Sequence, residues 1–436
     1  TAAQAETLLA GALSLAQGVL AQPLSVRRLL WATVHGTSAG DAEEFRSPAA
    51  CALWSFARTA ALEMPPGMAG AVDIGLRDGS AFAIDALIAE LAAATRETAF
   101  SAWRETRRLQ PVIVARSLPA APAAVSGACV VAGGLGGLGL ALADWLAAHG
   151  AQRIVLIGRK LRDDARDRVE ALHARGADVH VLLADIADPD AMAIAGDELA
   201  RLCPRVDTVF NLAGVLRDAR LADLGPAAWN EVLRAKLAGS ALLYEQTAML
   251  QPQRFVMFSS LVAVTGHAGQ ANHAAANGFQ DGFAAWLRQR GQQACTINWG
   301  LWGEDGVVAH ERTIAALARE GVFPMGTAQA LAVGAAIWNS DSAQTVVANV
   351  AEGFLPKAIA SGAGLPARPL DAHGGDAAPF HLPSRERLRH GRAHRLVGLA
   401  GRVVGRDAAA SRRGLRSAGG QRLLRQHQPV AGLRGG

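Results

Sequence analysis

Five glycines, Gly133, Gly134, Gly136, Gly137 and Gly139, fall within seven residues of "VVAGGLGGLGLALADWL". A short apolar strand pattern precedes them and a helical pattern follows, so they form the turn between the two. Such a turn suits a pyrophosphate: its backbone is bare enough for close approach, and the free N–H groups and dipole of the next helix face the charge. A purely structural turn is the alternative, and the strand before and helix after favour the cofactor. Twenty residues past Gly139, where an NAD site carries an acidic residue, "VLIGRK" ends its strand on Arg159 and Lys160. A guanidinium there matches a 2′-phosphate, which makes NADPH the expected cofactor; a solvated Arg/Lys pair is the plainer reading. Asp185 and Ile186 in "LLADIAD" are placed to hold the adenine. Asn211 to Gly214 in "FNLAGV", Ala213 among them, offer a small, flat backbone beneath the nicotinamide ribose.

These residues need a sheet to carry them. From about Gly127 to Gly362, "ACVVAG", "RIVLIG", "DVHVLLAD", "TVFNLAG", "RFVMFSS", "ACTINWG" and "QTVVANV" read as strands separated by helical patterns, the order of a parallel, doubly wound sheet. Seven strands with helical crossovers make a complete nucleotide-binding domain over residues 127–362. Residues 1–118 are also α/β but lack a glycine fingerprint: "RRLLWATVHG", "AGAVDIGL" and "LQPVIVAR" look like strands, and "SPAACALWSFARTAALEM" like a helix with a Ser-Pro start. "SLPAAPAAVSG" makes the linker, residues 119–126.

The chain has 436 residues, half of them apolar, ample for two packed cores. Its four cysteines are far apart with no Cys-x-x-Cys, which argues against a zinc site or a disulfide framework and suits a reducing cytoplasm. No run reaches the roughly 18 apolar residues of a membrane span, and no basic leader opens the chain. Thr1 in place of methionine reads as a piece cut from a longer polypeptide. The net charge of +5 invites a nucleic-acid partner, but residues 367–436 hold fourteen arginines against four acidic residues, +10, leaving −5 for the rest. A basic tail says little about what the folded part binds, so no nucleic acid is expected. The tail reads as disordered or artefactual, with a functional basic arm as the alternative.

Taken together, "GGLGGLG", "LIGRK", "NLAGVL", "FVMFSSLVAV", "GQANHAAANGF" and "INWGLWG" resemble, in order and spacing, the ketoreductase region of a modular type I polyketide synthase, within the short-chain dehydrogenase/reductase superfamily. The resemblance covers nearly all of residues 1–362 and implies a Rossmann fold preceded by a truncated, cofactor-free, Rossmann-like structural subdomain. It implies hydride transfer from NADPH to a β-ketoacyl thioester on an acyl carrier protein, with other synthase domains in the same polypeptide. Ketone reduction needs an oxyanion stabiliser, a proton donor and a group that tunes or relays the proton. In the family these are a serine, a tyrosine, and a lysine with an asparagine. The matching positions are Ser260, position 273 thirteen residues later, Lys236 twenty-four residues before Ser260, and Asn277 on the helical face of position 273. A loop cap at Ser260, a solvated Lys236 and a packing Asn277 are the plainer readings.

Position 273 departs from the family, for it holds His273. The only tyrosine, Tyr244, lies one helix earlier, in "ALLYEQT", so no shifted alignment restores the phenol. An imidazole can donate or relay a proton, although nearby positive charge keeps it neutral. The expected function is reduction with His273 as donor or relay. The alternatives are a cofactor-binding, reduction-impaired domain acting as scaffold or α-carbon epimerase, and a stand-alone reductase of small ketones. By resemblance, Leu216-Arg217-Asp218 keeps the second aspartate of the signature that accompanies the B-type, D-configured alcohol, and Thr265 stands where the opposite type has tryptophan. Asp218 as a turn residue is the plainer reading. Trp299 reads as core, and Trp302 with "GEDGVVAHERTIAALAREGVFPM" as a substrate lid or an ordinary surface helix.

Overall fold

The structure, a computed structural model, describes residues 1–22, 28–37, 47–66, 68–75, 79–92, 100–104, 107–111, 113–115, 125–304, 311–355 and 396–400. Two sheets carry it. The smaller is built from β1 (Leu29–Val34), β2 (Ala69–Ile74), β3 (Phe100–Arg104) and β4 (Arg107–Leu109), in that spatial order. β1, β2 and β3 are parallel, and β4 returns antiparallel. Three helices belong to this part: α1 (Ala2–Ala21), α2 (Pro48–Glu63) and α3 (Gly79–Ala92). The Ser-Pro start of α2 acts as read, since the Ser47 side chain accepts the Ala50 N–H and Pro48 fills a first-turn position that needs no donor.

The larger sheet takes the two-residue β5 (Val114–Ala115) and then alternates strands with helices: β6 (Ala128–Ala132), α4 (Gly137–Ala148), β7 (Arg153–Gly158), α5 (Asp163–Ala174), β8 (Val179–Leu183), α6 (Pro189–Leu202), β9 (Thr208–Asn211), α7 (Pro226–Lys236), α8 (Ala238–Ala248) and β10 (Arg254–Ser260). It continues through α9 (Leu261–Thr265), α10 (Ala271–Arg288), β11 (Ala294–Trp299), α11 (Glu311–Glu320), β12 (Val322–Phe323), α12 (Thr327–Trp338), β13 (Gln344–Val350) and β14 (Leu396–Ala400). The order β8-β7-β6-β9-β10-β11-β13 is parallel throughout and contains all seven strands expected from the sequence. The chain reverses direction across the sheet between β6 and β9, and a crevice at that point, beyond the strands' carboxyl ends, is where such sheets take their ligands.

Two readings change. "LQPVIVAR" is not one strand: β4 ends at Leu109, and among the described residues Val114–Ala115 alone resumes, as β5, in the other sheet. Pro111 stands between them, with no N–H to offer a ladder. In the arginine-rich tail, read as unstructured, Leu396–Ala400 forms β14, antiparallel to both β13 and β5. Most of the expected linker, residues 305–310 and the rest of the tail lie outside the described residues.

The two parts meet through helices. α2 lies against α10, and the approach is so close that a Cβ on Gly278 would sit 2.3 Å from Ser55 Oγ, and one on Gly282 2.7 Å from Pro48 Cα. Phe56 of α2 meets Trp229 of α7 edge to face, ring centroids 5.9 Å apart, both rings buried. Such a pair adds about 0.5–1.5 kcal/mol beyond the area it removes from water. On another flank of α10, Phe279 and Phe283 stack at 5.8 Å, and Phe283 stacks on Trp286 at 5.4 Å. α10 is thus held from several sides, a rigid base for whatever it presents to the crevice.

Candidate active site

At the turn after β6, Gly133, Gly134 and Gly139 have no room for a side chain. Gly133 adopts φ +78°, and a Cβ there would lie 2.8 Å from the Ala213 backbone nitrogen; a Cβ on Gly139 would lie 2.3 Å from the Gly133 carbonyl oxygen. The glycine turn, the first turn of α4 and the loop after β9 therefore touch through bare backbone. Gly136 caps α4 without a side-chain hydrogen bond, so its N-terminal N–H groups are open to an anion. Arg159 and Lys160 are exposed just beyond β7. Asp185 accepts the Ala187 N–H through Oδ1 at 3.0 Å. Ile186 is buried in the core, where a Cβ on Gly239 would meet its Cδ1 at 2.7 Å. Asn211 is fully buried; its Oδ1 accepts the Ala213 N–H at 3.1 Å and fixes the course of the loop that leads to the exposed Gly214. This bare-backbone cradle with an open helix N-terminus fits the diphosphate of a nicotinamide dinucleotide.

Beside it opens a cavity of about 1050 Å³. Lys236, Ser260, His273 and Asn277 all line it, together with Gly214, Asp218 and Trp302. Ser260, at the end of β10, caps α9: its Oγ accepts the Val262 N–H at 3.3 Å, leaving the hydroxyl proton free to donate. The cap and the cavity-facing donor coexist in one residue.

Lys236 ends α7 and is 4% exposed. Its Nζ donates to the Phe258 carbonyl at 3.0 Å and to Gln280 Oε1 at 2.9 Å. Its stem passes over the loop after β9, where a Cβ on Gly214 would come within 3.1 Å of Lys236 Cε. Burial lowers its pKa to about 7, and the charge of Asp281 opposes the shift in part. Near neutrality the amine is therefore divided between its two protonation states.

His273 and Asn277 lie one turn apart on α10. Asn277 donates from Nδ2 to the His273 carbonyl at 2.8 Å, while Asn277 Oδ1 and His273 Nδ1 are buried with no hydrogen-bond partner. Two unsatisfied polar atoms on one cavity wall are uncommon in a merely structural helix. Burial, then the charges of Lys236 and His267, push the His273 pKa down to about 3. The ring is neutral at any working pH.

A stability consequence follows. Between about pH 6.5 and about pH 3 the unfolded chain binds a proton at this histidine that the fold refuses, so this residue's contribution to stability is lost as pH falls through that window. His273→Gln removes the group. Its Tm is expected to drop less than the parent's between about pH 7 and about pH 4.5 in calorimetry, and equal drops would show that the ring takes up its proton within the fold.

At the mouth, Asp218 is exposed and accepts from Gln270 Nε2 at 2.8 Å, and Arg217 pairs with Glu231 at 2.7 Å. Trp302 is 7% exposed and tilted against Trp299, centroids 4.8 Å apart, so it forms a wall of the cavity with its core neighbour. Leu317 and Glu320 of α11 line the cavity as well. Sequence reading missed Glu63 at the end of α2, whose carboxylate accepts the Leu221 N–H at 2.7 Å and the Gly269 N–H at 2.8 Å, tying both site loops to the small-sheet part. It also missed Gln280, for which the signal was present: it lies seven residues after His273, on the same helical face.

Among the described residues no helix is long and apolar enough to cross a membrane. Residues 127–304 match the family described as the KR domain. The pikromycin polyketide synthase component PikAIII of Streptomyces venezuelae is 32% identical over 339 residues, 76% of this chain and 21% of that protein. The putative inactive phenolphthiocerol synthesis polyketide synthase type I Pks1 of Mycobacterium tuberculosis is 32% identical over 335 residues, 71% of this chain and 21% of that protein. The chain thus spans about a fifth of the length of these curated relatives. Among solved structures, that of A-type ketoreductases from a modular polyketide synthase is 32% identical with a TM-score of 0.72, covering 80% of this chain and 74% of that one. The first ketoreductase of the tylosin polyketide synthase is 30% identical with a TM-score of 0.71, covering 81% and 76%.

Proposed function

Because this chain belongs to the ketoreductase domains of modular type I polyketide synthases, oxidoreductases with a Rossmann fold and a nicotinamide cofactor, we propose that it reduces a β-ketoacyl thioester, carried on an acyl carrier protein, to the β-hydroxyacyl thioester with NADPH. The observation that carries the reading is the convergence of Lys236, Ser260, His273 and Asn277 on one cavity beside the bare-backbone cradle. We assign the reaction to the cytoplasm, with the acyl carrier protein and neighbouring synthase domains as partners in the same polypeptide.

When bound, the cofactor would supply the hydride for the ketone carbon. Gly133, Gly134, Gly136, Gly137 and Gly139 would leave room for its diphosphate, Arg159 with Lys160 would meet a 2′-phosphate, Asp185 with the backbone of Ile186 would hold the adenine, and Asn211, Ala213 and Gly214 would shape the nicotinamide side. Ser260 donates its hydroxyl proton in a hydrogen bond to the carbonyl oxygen and holds it as negative charge develops. His273 hands a proton to that oxygen. A neutral ring that only gave up a proton would become an unfavourable anion, so it takes one at its other nitrogen as it gives one, and Lys236, titrating near neutrality, is the source. Asn277 holds the His273 turn of α10.

The B-type, D-configured product is assigned by resemblance, from the aspartate that Leu216-Arg217-Asp218 keeps; Asp218 lies at the cavity mouth, bonded to Gln270. A second reading has one specific observation in its favour: the imidazole is shorter than a phenol and its Nδ1 is buried without a partner, which suits a domain that binds NADPH yet does not reduce. NADPH absorbance followed with a β-ketoacyl thioester, with chiral analysis of the alcohol, tests both. Turnover to the D-alcohol is expected. NADPH binding without turnover would leave the scaffold or epimerase reading, an L-alcohol would remove the B-type assignment, and equal use of NADH would remove the role of Arg159.

A further inference from the structure

Behind the four residues of the proposed chemistry runs a second, fully buried row. Gln280 and Ser240 are both 0% exposed. Gln280 accepts from Lys236 Nζ at 2.9 Å and donates from Nε2 to Ser240 Oγ at 3.2 Å; Ser240 Oγ also accepts from Asn211 Nδ2 at 3.0 Å. Asn211 in turn holds the Ala213 N–H. The row is continuous from the lysine amine to the loop proposed to carry the nicotinamide. Its polarity is fixed at one end, because a lysine ammonium only donates, so the amide oxygen of Gln280 faces Lys236 and the amide NH₂ faces Ser240.

We propose that Gln280, backed by Ser240, is a positioning residue that sets both the aim and the protonation of Lys236 and ties them to the cofactor-side loop. The inference rests on the reductase reading for its consequence in turnover. Its structural core is independent of that reading. With the Phe258 carbonyl and Gln280 Oε1 taking two hydrogens, one position on Nζ is left. As an ammonium it presents a proton toward the cavity; as an amine it presents a lone pair. The same two acceptors that fix the geometry therefore let the group act as donor or acceptor without moving. An apolar residue at 280 would leave the buried amine with one acceptor and favour its neutral form.

Other charges bear on this amine. Asp281, next to Gln280 on α10, raises its pKa, and Asp281 Oδ2 itself accepts from Asn298 Nδ2 at 2.9 Å. His273, also on α10, His267 and Asp218 in the flanking loops, and Glu320 and Glu352 toward the far wall line the same cavity, as does Arg220. None of these changes in the two variants that test the proposal.

The chain has only three lysines, Lys160, Lys236 and Lys357. This allows ¹³C-labelled lysine side chains to be titrated one by one by NMR in the whole protein, with Lys236→Arg assigning the signal. The parent should give a Lys236 midpoint near 7. Gln280→Leu is expected to lower it, and Gln280→Glu, nearly the same shape with a negative charge beside the amine, to raise it by about one to three pH units. In the NADPH assay the loss of kcat at rising pH should move in the same direction in each variant. Unchanged midpoints in folded, NADPH-binding variants would overturn the proposal. The titration needs no turnover, so shifted midpoints in a protein that reduces nothing would uphold the positioning role and count against the reductase reading instead. Should Gln280→Leu fail to fold, Gln280→Glu decides alone: a midpoint that does not rise overturns the proposal.

Discussion

His273→Phe is expected to lower kcat for β-ketoacyl thioester reduction by about 10²–10⁴-fold, the usual contribution of a positioned acid–base group, while leaving the Kd for NADPH within a few-fold of the parent. The ring of phenylalanine fills the volume of the imidazole and carries no proton. His273 stands on α10, whereas the cradle is made by the β6–α4 turn and the loop after β9, so cofactor binding has no reason to change. His273→Tyr is the informative partner: a phenol of reference pKa near 10 donates without needing a proton from the far side. Activity in the parent and in the tyrosine variant, with loss in the phenylalanine variant, is the expected pattern. A silent parent with an active tyrosine variant would show that the cavity is sound and that histidine has withdrawn the domain from reduction.

Gly139→Ala is expected to weaken NADPH binding by about 5–150-fold. The added Cβ would lie 2.3 Å from the Gly133 carbonyl oxygen, 2.6 Å from Gly134 Cα and 2.8 Å from the Gly134 carbonyl carbon. All three are backbone atoms, so no rotamer relieves the contact; either the glycine turn shifts or α4 retreats. Overpacking of this kind costs ~1–3 kcal/mol, and taken from a cradle that must keep its shape to bind, that is the stated range. Gly11→Ala on α1 is the control, since nothing lies within 4 Å of its added Cβ. Isothermal titration with NADPH reads the difference. Unchanged affinity in Gly139→Ala would mean that the dinucleotide does not use this turn.

The seven strands of the larger sheet were legible because parallel strands covered on both faces are written as unbroken apolar runs, as in "RIVLIG" and "RFVMFSS". "LQPVIVAR" satisfied the same pattern and was broken by a single proline, and β14 was hidden in a segment whose composition argued for no structure at all. At the site, helical spacing put His273 and Asn277 on one face, whereas Ser260 and Lys236 were named only through the resemblance to the family; the four line one cavity. Contacts across the chain had no such signal. Glu63 reaches Leu221 over 158 residues and Gly269 over 206, and a glutamate at the end of an apolar helix reads as an ordinary solvated charge until the loops it holds are seen. Gln280 was overlooked although its spacing from His273 put it on the same helical face, because a glutamine in a helix suggests surface and its burial shows only in the structure.

α10 has no solvent side to speak of, for 15 of its 18 residues are buried, with glycines pressed against α2 on one flank, aromatic rings on another and the polar stripe on a third. A helix so enclosed has almost no freedom to drift when one of its residues is exchanged. Any new side chain on it has to work from the spot where the old one stood, reaching with its own atoms alone. That narrows the paths by which such a site can be altered to exchanges that fit the old space, one position at a time, and histidine in the place of a phenol gives up reach that the backbone does not restore.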